Sequence, residues 1–310
     1  MNLFEYTYNL VRQIPPGRLS TYGAVAKALG DIRASRAVGR MMNQNPDADD
    51  MPCFKIVYSD GRLGGFGRGI EDKISRLNND NIDVKDGKIV DFENVYFDDF
   101  KTDYPLKKLR QDQINLSKKL IIKDDFGKID TIAGVDVSYP ANEFEKACGA
   151  CIVVDYKTKD VVEEKTVLVH TDFPYIPTYF SFREYPVVKK LMKSLDNKPS
   201  VIIFDGNGIL HPFMCGFASH AGLLLNYPSI GVAKNLLTGE LRDDTVMLND
   251  KKIGYAIFSK KAKKPVYVSP GHRVSHKTSV NIVKNLIKFK FPEPLRLAHI
   301  LSKKSSIKGS

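Results

Sequence analysis

Residues 200–204 read SVIIF, sit between Pro199 and Asp205, and hold no charged side chain. A strand with one wet face alternates apolar and polar residues, so an unbroken apolar run of this length suits a strand covered on both faces. Helices on either side of a sheet supply such cover, which places this part of the chain in the α/β class. The surrounding pattern agrees: DTIAGVDVSY (130–139), ACIVVDY (150–156), VVEEKTVLV (161–169) and VYVSPGH (266–272) read as further strands. LKKLRQDQINLSKKLII (106–122) reads as an amphipathic helix leading into them.

The chain's beginning has a different rhythm. LFEYTYNLVRQI (3–14) carries apolar residues at helical spacing and stops at Pro15, Pro16 and Gly17. Ser20 or Thr21 caps a second helix, YGAVAKALG (22–30), and a third starts near Ala34 or Ser35 and runs to Asn45. Short helices with tight connections suggest a helix-turn-helix, and CFKIVYSDGRLGGFG (53–67) reads as a strand, an Asp-Gly turn and a glycine-rich return, a wing. Acidic, aromatic residues 85–105 lack periodicity and read as a linker. The expected division is therefore 1–84, linker 85–105, and 106–310.

A net charge of +11 favours a polyanionic partner, although the basic clusters KKLRQ, SKKAKKP and SKKSSIKGS are interleaved with acidic stretches. No run approaches bilayer length, and the first residues lack a cationic stretch leading into an apolar one, so a cytoplasmic protein is expected. Cys53, Cys148, Cys151 and Cys215 do not form a disulfide pattern. The C-x-x-C of Cys148 and Cys151 reads as core thiols, with a zinc or redox site as the alternative. The glycines between Gly64 and Gly69 lack a following Lys-Ser/Thr, so no nucleotide cofactor is expected.

Two carboxylates stand out. Asp136 interrupts an apolar strand, and Asp205 ends one directly before a glycine turn. A carboxylate beside apolar residues is costly unless paired or metal-bound, and paired carboxylates at strand ends hold Mg²⁺ for phosphodiester hydrolysis. A turn or cap role is the alternative, above all for Asp205. Glu184 and His272 are further candidates for such a site.

AGVDVSYP, FPYIPTYFSFRE, VIIFDGNGILHP, GFASHAGLLL, PSIGVAK, VYVSPGH and EPLRLAH, in this order, resemble the endonuclease V family from about residue 100 onward. The resemblance implies an RNase H-like mixed sheet, Mg²⁺ dependence with Mn²⁺ able to substitute, and cleavage of DNA on the 3′ side of deaminated bases, hypoxanthine above all, one nucleotide beyond the lesion. It implies that Asp136 and Asp205 bind the metal, that Glu184 and His272 fill the remaining acidic and imidazole positions, and that Lys234 is catalytic. It further implies that Tyr175 wedges into the duplex and that His211 lies near the site. A ring between Pro174 and Pro177 is held stiffly enough to fill the space of a flipped base.

IPPGRLSTYGAVAKALG, ASRAVGRMMNQNP, MPCFKIV and SDGRLGGFGRGIEDK resemble, over residues 1–82, the C-terminal domain of O6-alkylguanine-DNA alkyltransferases. That resemblance implies a winged helix-turn-helix that binds double-stranded DNA with alkylated guanine and transfers the alkyl group to Cys53. Tyr22, Arg36 and Asn45 then fall at DNA-binding and turn-organising positions. The family's histidine after the cysteine is Phe54 here, followed by Lys55, with Asp80 near the distal acid. Cys53 therefore lacks its relay, and a module that senses lesions without transfer is the alternative. An RNA-directed nuclease is a rival for the second half. The overall expectation is a bifunctional DNA-repair enzyme with no membrane association.

Overall fold

The structure is a computed structural model that describes residues 1–45, 47–140, 146–259 and 263–308. Pro46, residues 260–262 of the basic SKKAKKP run and the last two residues of the tail lie outside the described residues. The chain forms two units, one of residues 1–110 with 172–177, the other of 111–171 with 178–310. No helix among the described residues is long and apolar enough to cross a membrane.

In the first unit α1 (Leu3–Val11) starts where the Asn2 side chain accepts the Glu5 amide at 3.0 Å. The two-residue β1 (Ser20–Thr21) leads into α2 (Tyr22–Leu29). Thr21 Oγ1 accepts the Ala24 amide at 3.0 Å and so supplies one of the partners a helix start lacks. Gly30 ends the helix, with φ of 105°. A 3₁₀ turn precedes α3 (Ser35–Asn43). Cys53 opens a second 3₁₀ turn, followed by β2 (Ile56–Val57), which pairs in parallel with β1. The expected wing is thus reduced to two strand residues and a Val57–Leu63 bridge, after which the glycine-rich chain enters α4 (Ile70–Asn79).

Residues 85–105, whose lack of periodicity suggests a linker, carry structure of their own. β3 (Val84–Lys85) and β4 (Lys88–Ile89) form a hairpin, and α5 (Phe92–Val95) follows. Ile89, Phe92 and Val95 pack with Leu19, Val57, Leu77 and Ile82. The Leu19 amide donates to the Val95 carbonyl at 2.9 Å.

Beyond α6 (Pro105–Ser117) the second unit is built on β5 (Thr131–Ser138), β6 (Lys146–Asp155), β7 (Val161–His170), β8 (Val201–Asp205), β9 (Ser229–Ala233), β10 (Glu240–Arg242), β11 (Thr245–Leu248), β12 (Lys251–Ile257) and β13 (Val266–His272). They form one mixed sheet in the order β10-β11-β12-β13-β9-β8-β5-β6-β7. Parallel pairs β5–β8 and β8–β9 lie at its centre, where residues 201–204 are fully buried as the sequence predicts. Alternation sends Ile132, Val201 and Ile203 to the face covered by α9 (His276–Leu286) and α10 (Glu293–Lys308). It sends Ala133, Val135, Ile202 and Phe204 to the face covered by α7 (Phe180–Lys193) and α8 (Phe217–Leu225).

Candidate functional site

Strand register builds the site of the second unit. Val135 of β5 pairs with Phe204 of β8, so the next residues, Asp136 and Asp205, come side by side at the same end of two parallel strands. Both continue the alternation that faces α10. That helix closes down on β5 because position 134 is glycine: a Cβ there would stand 2.3 Å from the Pro294 carbonyl carbon. Closure brings His299 and Ser302, three residues apart on one face of α10, onto Asp136. Ser302 Oγ donates to Asp136 Oδ2 at 2.5 Å, and His299 Nδ1 lies 3.3 Å from the same oxygen.

Ligand atoms of Asp136, Asp205 and His299 all lie within 4.8 Å of one another. Burial, then repulsion from Asp205, raises the Asp136 carboxyl above its ordinary range, against the stabilising Ser302 bond. Glu184, on α7, is buried and stands outside this close triad. Its carboxyl is pushed well up, first by burial and then by the charge of Asp136, with Arg183 opposing. The Arg183 guanidinium lies 3.8 Å from the centroid of the Tyr139 ring. Lys234 Nζ donates to Asp205 Oδ2 at 3.0 Å. Two carboxylates and an imidazole converging at strand ends form a donor set suited to a hard or borderline divalent cation.

His272 is not brought to this place. β13 runs antiparallel to β9, so His272 meets Ser229, whereas Asp205 meets Val232 at the other end of β9. His272 is buried, and its Nδ1 accepts the Ile121 amide at 3.3 Å. The imidazole at the carboxylates is that of His299, whose only sequence signal is the EPLRLAH segment. His211, also buried, accepts the Phe213 amide on Nδ1 at 3.2 Å in the turn after β8. Tyr175 belongs to residues 172–177, which group with the first unit, and is 47% exposed.

Cys148 and Cys151 are an odd number of residues apart on β6 and so face opposite sides of the sheet. They cannot share a metal or a disulfide. Burial pushes the Cys151 thiol up to about 12, as expected of a core residue.

In the first unit Cys53 is 4% exposed. Its Sγ receives the Asn45 amide at 3.3 Å, and Asn45 also donates to the Asp47 carbonyl at 2.8 Å. Lys55 Nζ is bound by Asp80 at 2.7 Å and the Pro15 carbonyl at 2.9 Å. The rings of Tyr22 and Tyr58 meet at a tilt of 57° with centroids 5.4 Å apart. Burial, then the charges of Tyr58 and Cys53, pushes the Tyr22 phenol up to about 12. Tyr22 and Arg36 line a cavity of about 720 Å³, together with Lys27, Arg40, Tyr58 and Tyr96. Cations interleaved with aromatic faces suit a nucleic acid, whose phosphates and bases they match.

Known proteins divide in the same way. The family model described as Endonuclease V matches residues 114–300, and that described as 6-O-methylguanine DNA methyltransferase, DNA binding domain, matches residues 2–82. A bifunctional methyltransferase/endonuclease of Picrophilus torridus is 41% identical over 96% of this chain and 95% of its own length. One of Thermoplasma volcanium is 38% identical over 97% and 90%. Endonuclease V of Streptomyces avermitilis superposes with a TM-score of 0.62 at 32% identity, covering 66% of this chain and 93% of that one. Endonuclease V of Ciona intestinalis, solved with DNA containing an inosine, gives a TM-score of 0.62 at 30% identity over 68% and 100%. With its carboxylates on adjacent strands and a methyltransferase-type DNA-binding domain ahead of them, the chain belongs to the endonuclease V family, in the group of bifunctional methyltransferase/endonucleases.

Proposed function

We propose that the protein repairs DNA with two separate chemistries: transfer of alkyl groups from guanine O6 to Cys53, and metal-dependent cleavage on the 3′ side of deaminated bases, one nucleotide beyond the lesion. The methyltransferase-like unit comprises the first 84 residues and the nuclease residues 106–310, in this reading. One observation carries the nuclease half: Asp136, Asp205 and His299 converge within 4.8 Å. These residues would hold Mg²⁺ or Mn²⁺, which when bound activates water and offsets charge on the leaving oxygen.

The protein's own groups do the rest. Ser302 fixes the orientation of Asp136 through its short hydrogen bond. Lys234, on Asp205, places a point charge where negative charge develops on phosphate. Glu184 adds a third carboxyl whose buried position keeps its proton affinity high. Tyr175, exposed and flanked by two prolines, supplies a ring to fill the gap in the duplex, and His211 borders the turn after Asp205. Tyr22, Arg36 and Asn45 hold the alkylated strand and the turn carrying Cys53.

The Ciona relative, solved with a 23mer DNA containing an inosine followed by a ribo-adenosine, supports inosine-containing nucleic acid as the substrate class. The test is a pair of assays on full-length protein. Asp136→Ala should abolish Mg²⁺-dependent nicking of a deoxyinosine duplex while leaving methyl transfer intact. Cys53→Ser should abolish uptake of label from DNA carrying tritiated O6-methylguanine while leaving nicking intact. Nicking by Asp136→Ala, or label on Cys53→Ser, contradicts the corresponding assignment. Inosine RNA offered in competition separates a DNA nuclease from an RNA-directed one.

A further inference from the structure

The family models match residues 2–82 and 114–300, so the stretch between them belongs to neither. Its first part is nevertheless built into the first unit. The Leu19 amide donates to the Val95 carbonyl at 2.9 Å, and the Leu19 carbonyl accepts the Phe97 amide at 2.8 Å, with Leu19 and Tyr96 bridged in parallel. Tyr96 is extended, with φ of −70° and ψ of 139°. Neighbouring residues on an extended segment face opposite ways. Val95 accordingly packs on the core of Leu19, Val57, Leu77, Ile82 and Ile89, while Tyr96 turns to the cavity that Tyr22 and Arg36 line. Phe92 lines the same cavity. Its ring lies over the Asp60-Gly61 turn, where a Cβ on Gly61 would stand 3.5 Å away. The Phe92 and Tyr96 rings have centroids 5.5 Å apart and planes tilted by 32°.

We propose that Phe92 and Tyr96 form a seat on which an unstacked base of the bound DNA strand rests, beside the base offered to Cys53. This rests on the reading that the first unit takes alkylated DNA. A cavity of about 720 Å³ lies within the range that holds a small organic molecule, and so admits one nucleotide. Aromatic faces take bases of any identity by stacking, and cations beside them take the phosphates. Lys27 on α2, with Arg36 and Arg40 one turn apart on α3, supplies those cations. Cys53 is not among the residues that line the cavity, so its occupant is a different nucleotide from the one that is dealkylated.

A base drawn out of a duplex loses its stacking partners, and a protein ring that replaces them lowers the cost of opening the strand. Phe92 and Tyr96 provide such a ring at the edge of the helix-turn-helix, from a segment that the matching DNA-binding model does not include. Residues 84–96 thus act as a specificity element of the first unit, holding the strand open next to the lesion.

The test is photocrosslinking and binding by the full chain carrying Cys53→Ser, in EDTA, so that the duplex is neither dealkylated nor cut. Each duplex holds one O6-methylguanine and one 5-iodouracil, placed in turn at the neighbouring positions of the same strand. Irradiation should join one of these positions to the tryptic peptide Ile89–Lys101, with fragmentation placing the link on Phe92 or Tyr96. Tyr96→Ala and Phe92→Leu should each weaken binding of the alkylated duplex at least about fivefold, and Tyr96→Phe, which keeps the ring, should stay within about twofold. Tyr96 is half-buried, and its variants carry the test if Phe92→Leu does not fold. No link to Phe92 or Tyr96 from any position overturns the proposal. So does a folded Tyr96→Ala that binds like its parent, or Tyr96→Phe as weak as Tyr96→Ala. Duplexes with unmodified guanine are run beside these. A parent that does not prefer the alkylated duplex sinks the alkylguanine reading, and the seat is then judged by links from the unmodified duplex, whose absence overturns it.

Discussion

Replacing Asp136 with Asn should make the nuclease unit more stable and inactive at once. Ligand oxygens of Asp136 and Asp205 lie within 4.8 Å of one another. Two unit charges at that distance repel by about 3.5 kcal/mol at an effective dielectric near 20. Lys234 on Asp205, and the partial exposure of that carboxylate, reduce the figure to about 2 kcal/mol. In the Asp136→Asn variant the new amide oxygen still accepts from Ser302, and the amide nitrogen donates to Asp205. In chelator at pH 7.5 the melting transition of this unit should rise by about 4–8 °C, taking about 2–4 °C per kcal/mol for a unit of this size. Mg²⁺ should then raise the melting temperature of wild type but not of Asp136→Asn. The pH dependence has a definite sign. Asp136 and Glu184 both have raised values in the fold, so the native protein holds more protons than the unfolded chain just above the ordinary values of 3.8 and 4.5. The stability that these two groups contribute in chelator is therefore fully present below those values and is lost as pH rises through the raised ones. Asp136→Asn removes its share of that loss. Calorimetry with and without EDTA is the assay. A variant that melts at or below wild type in chelator, or one that Mg²⁺ stabilises equally, refutes the reasoning.

His299→Ala should lower nicking of a deoxyinosine duplex at least about 100-fold. His272→Ala should stay within a few-fold in rate and lose about 1–2 kcal/mol of stability through the abandoned Ile121 amide; the reverse pattern in paired kinetics and melts would return the role to His272. Gly208→Ala puts a Cβ 2.1 Å from the Pro270 carbonyl oxygen, and should cost about 3 kcal/mol in chemical denaturation. Tyr175→Ala, at an exposed position, should melt within about 0.5 kcal/mol of wild type yet nick at least about tenfold slower; equal rates would remove the wedge role.

Much of the architecture is legible in order along the chain. Residues 200–204 announce a central strand because burial on both faces leaves no polar position. Thr21 and Gly30 mark the ends of α2 because a cap needs a side-chain oxygen and a stop needs positive φ. The segment 85–105 misleads for the opposite reason. Its aromatic residues have no period, yet they fill the core around Leu19 in short pieces held by contacts distant in sequence. β10 to β12 escape a reading by pattern because polar and apolar residues mix on strands at the open side of the sheet.

Sequence by itself determined the two-part plan and singled out the two carboxylates and the cysteine as candidates, since these follow from local patterns and from segments in a recognisable order. Tertiary structure alone chose between the histidines. Strand direction carries His272 to the far end of β9, while the close approach of α10 over Gly134 delivers His299 and Ser302 to Asp136. It likewise sets the Lys73 ammonium on the Ile56 carbonyl at 2.7 Å, a contact that depends on how α4 packs and that no spacing along the chain encodes.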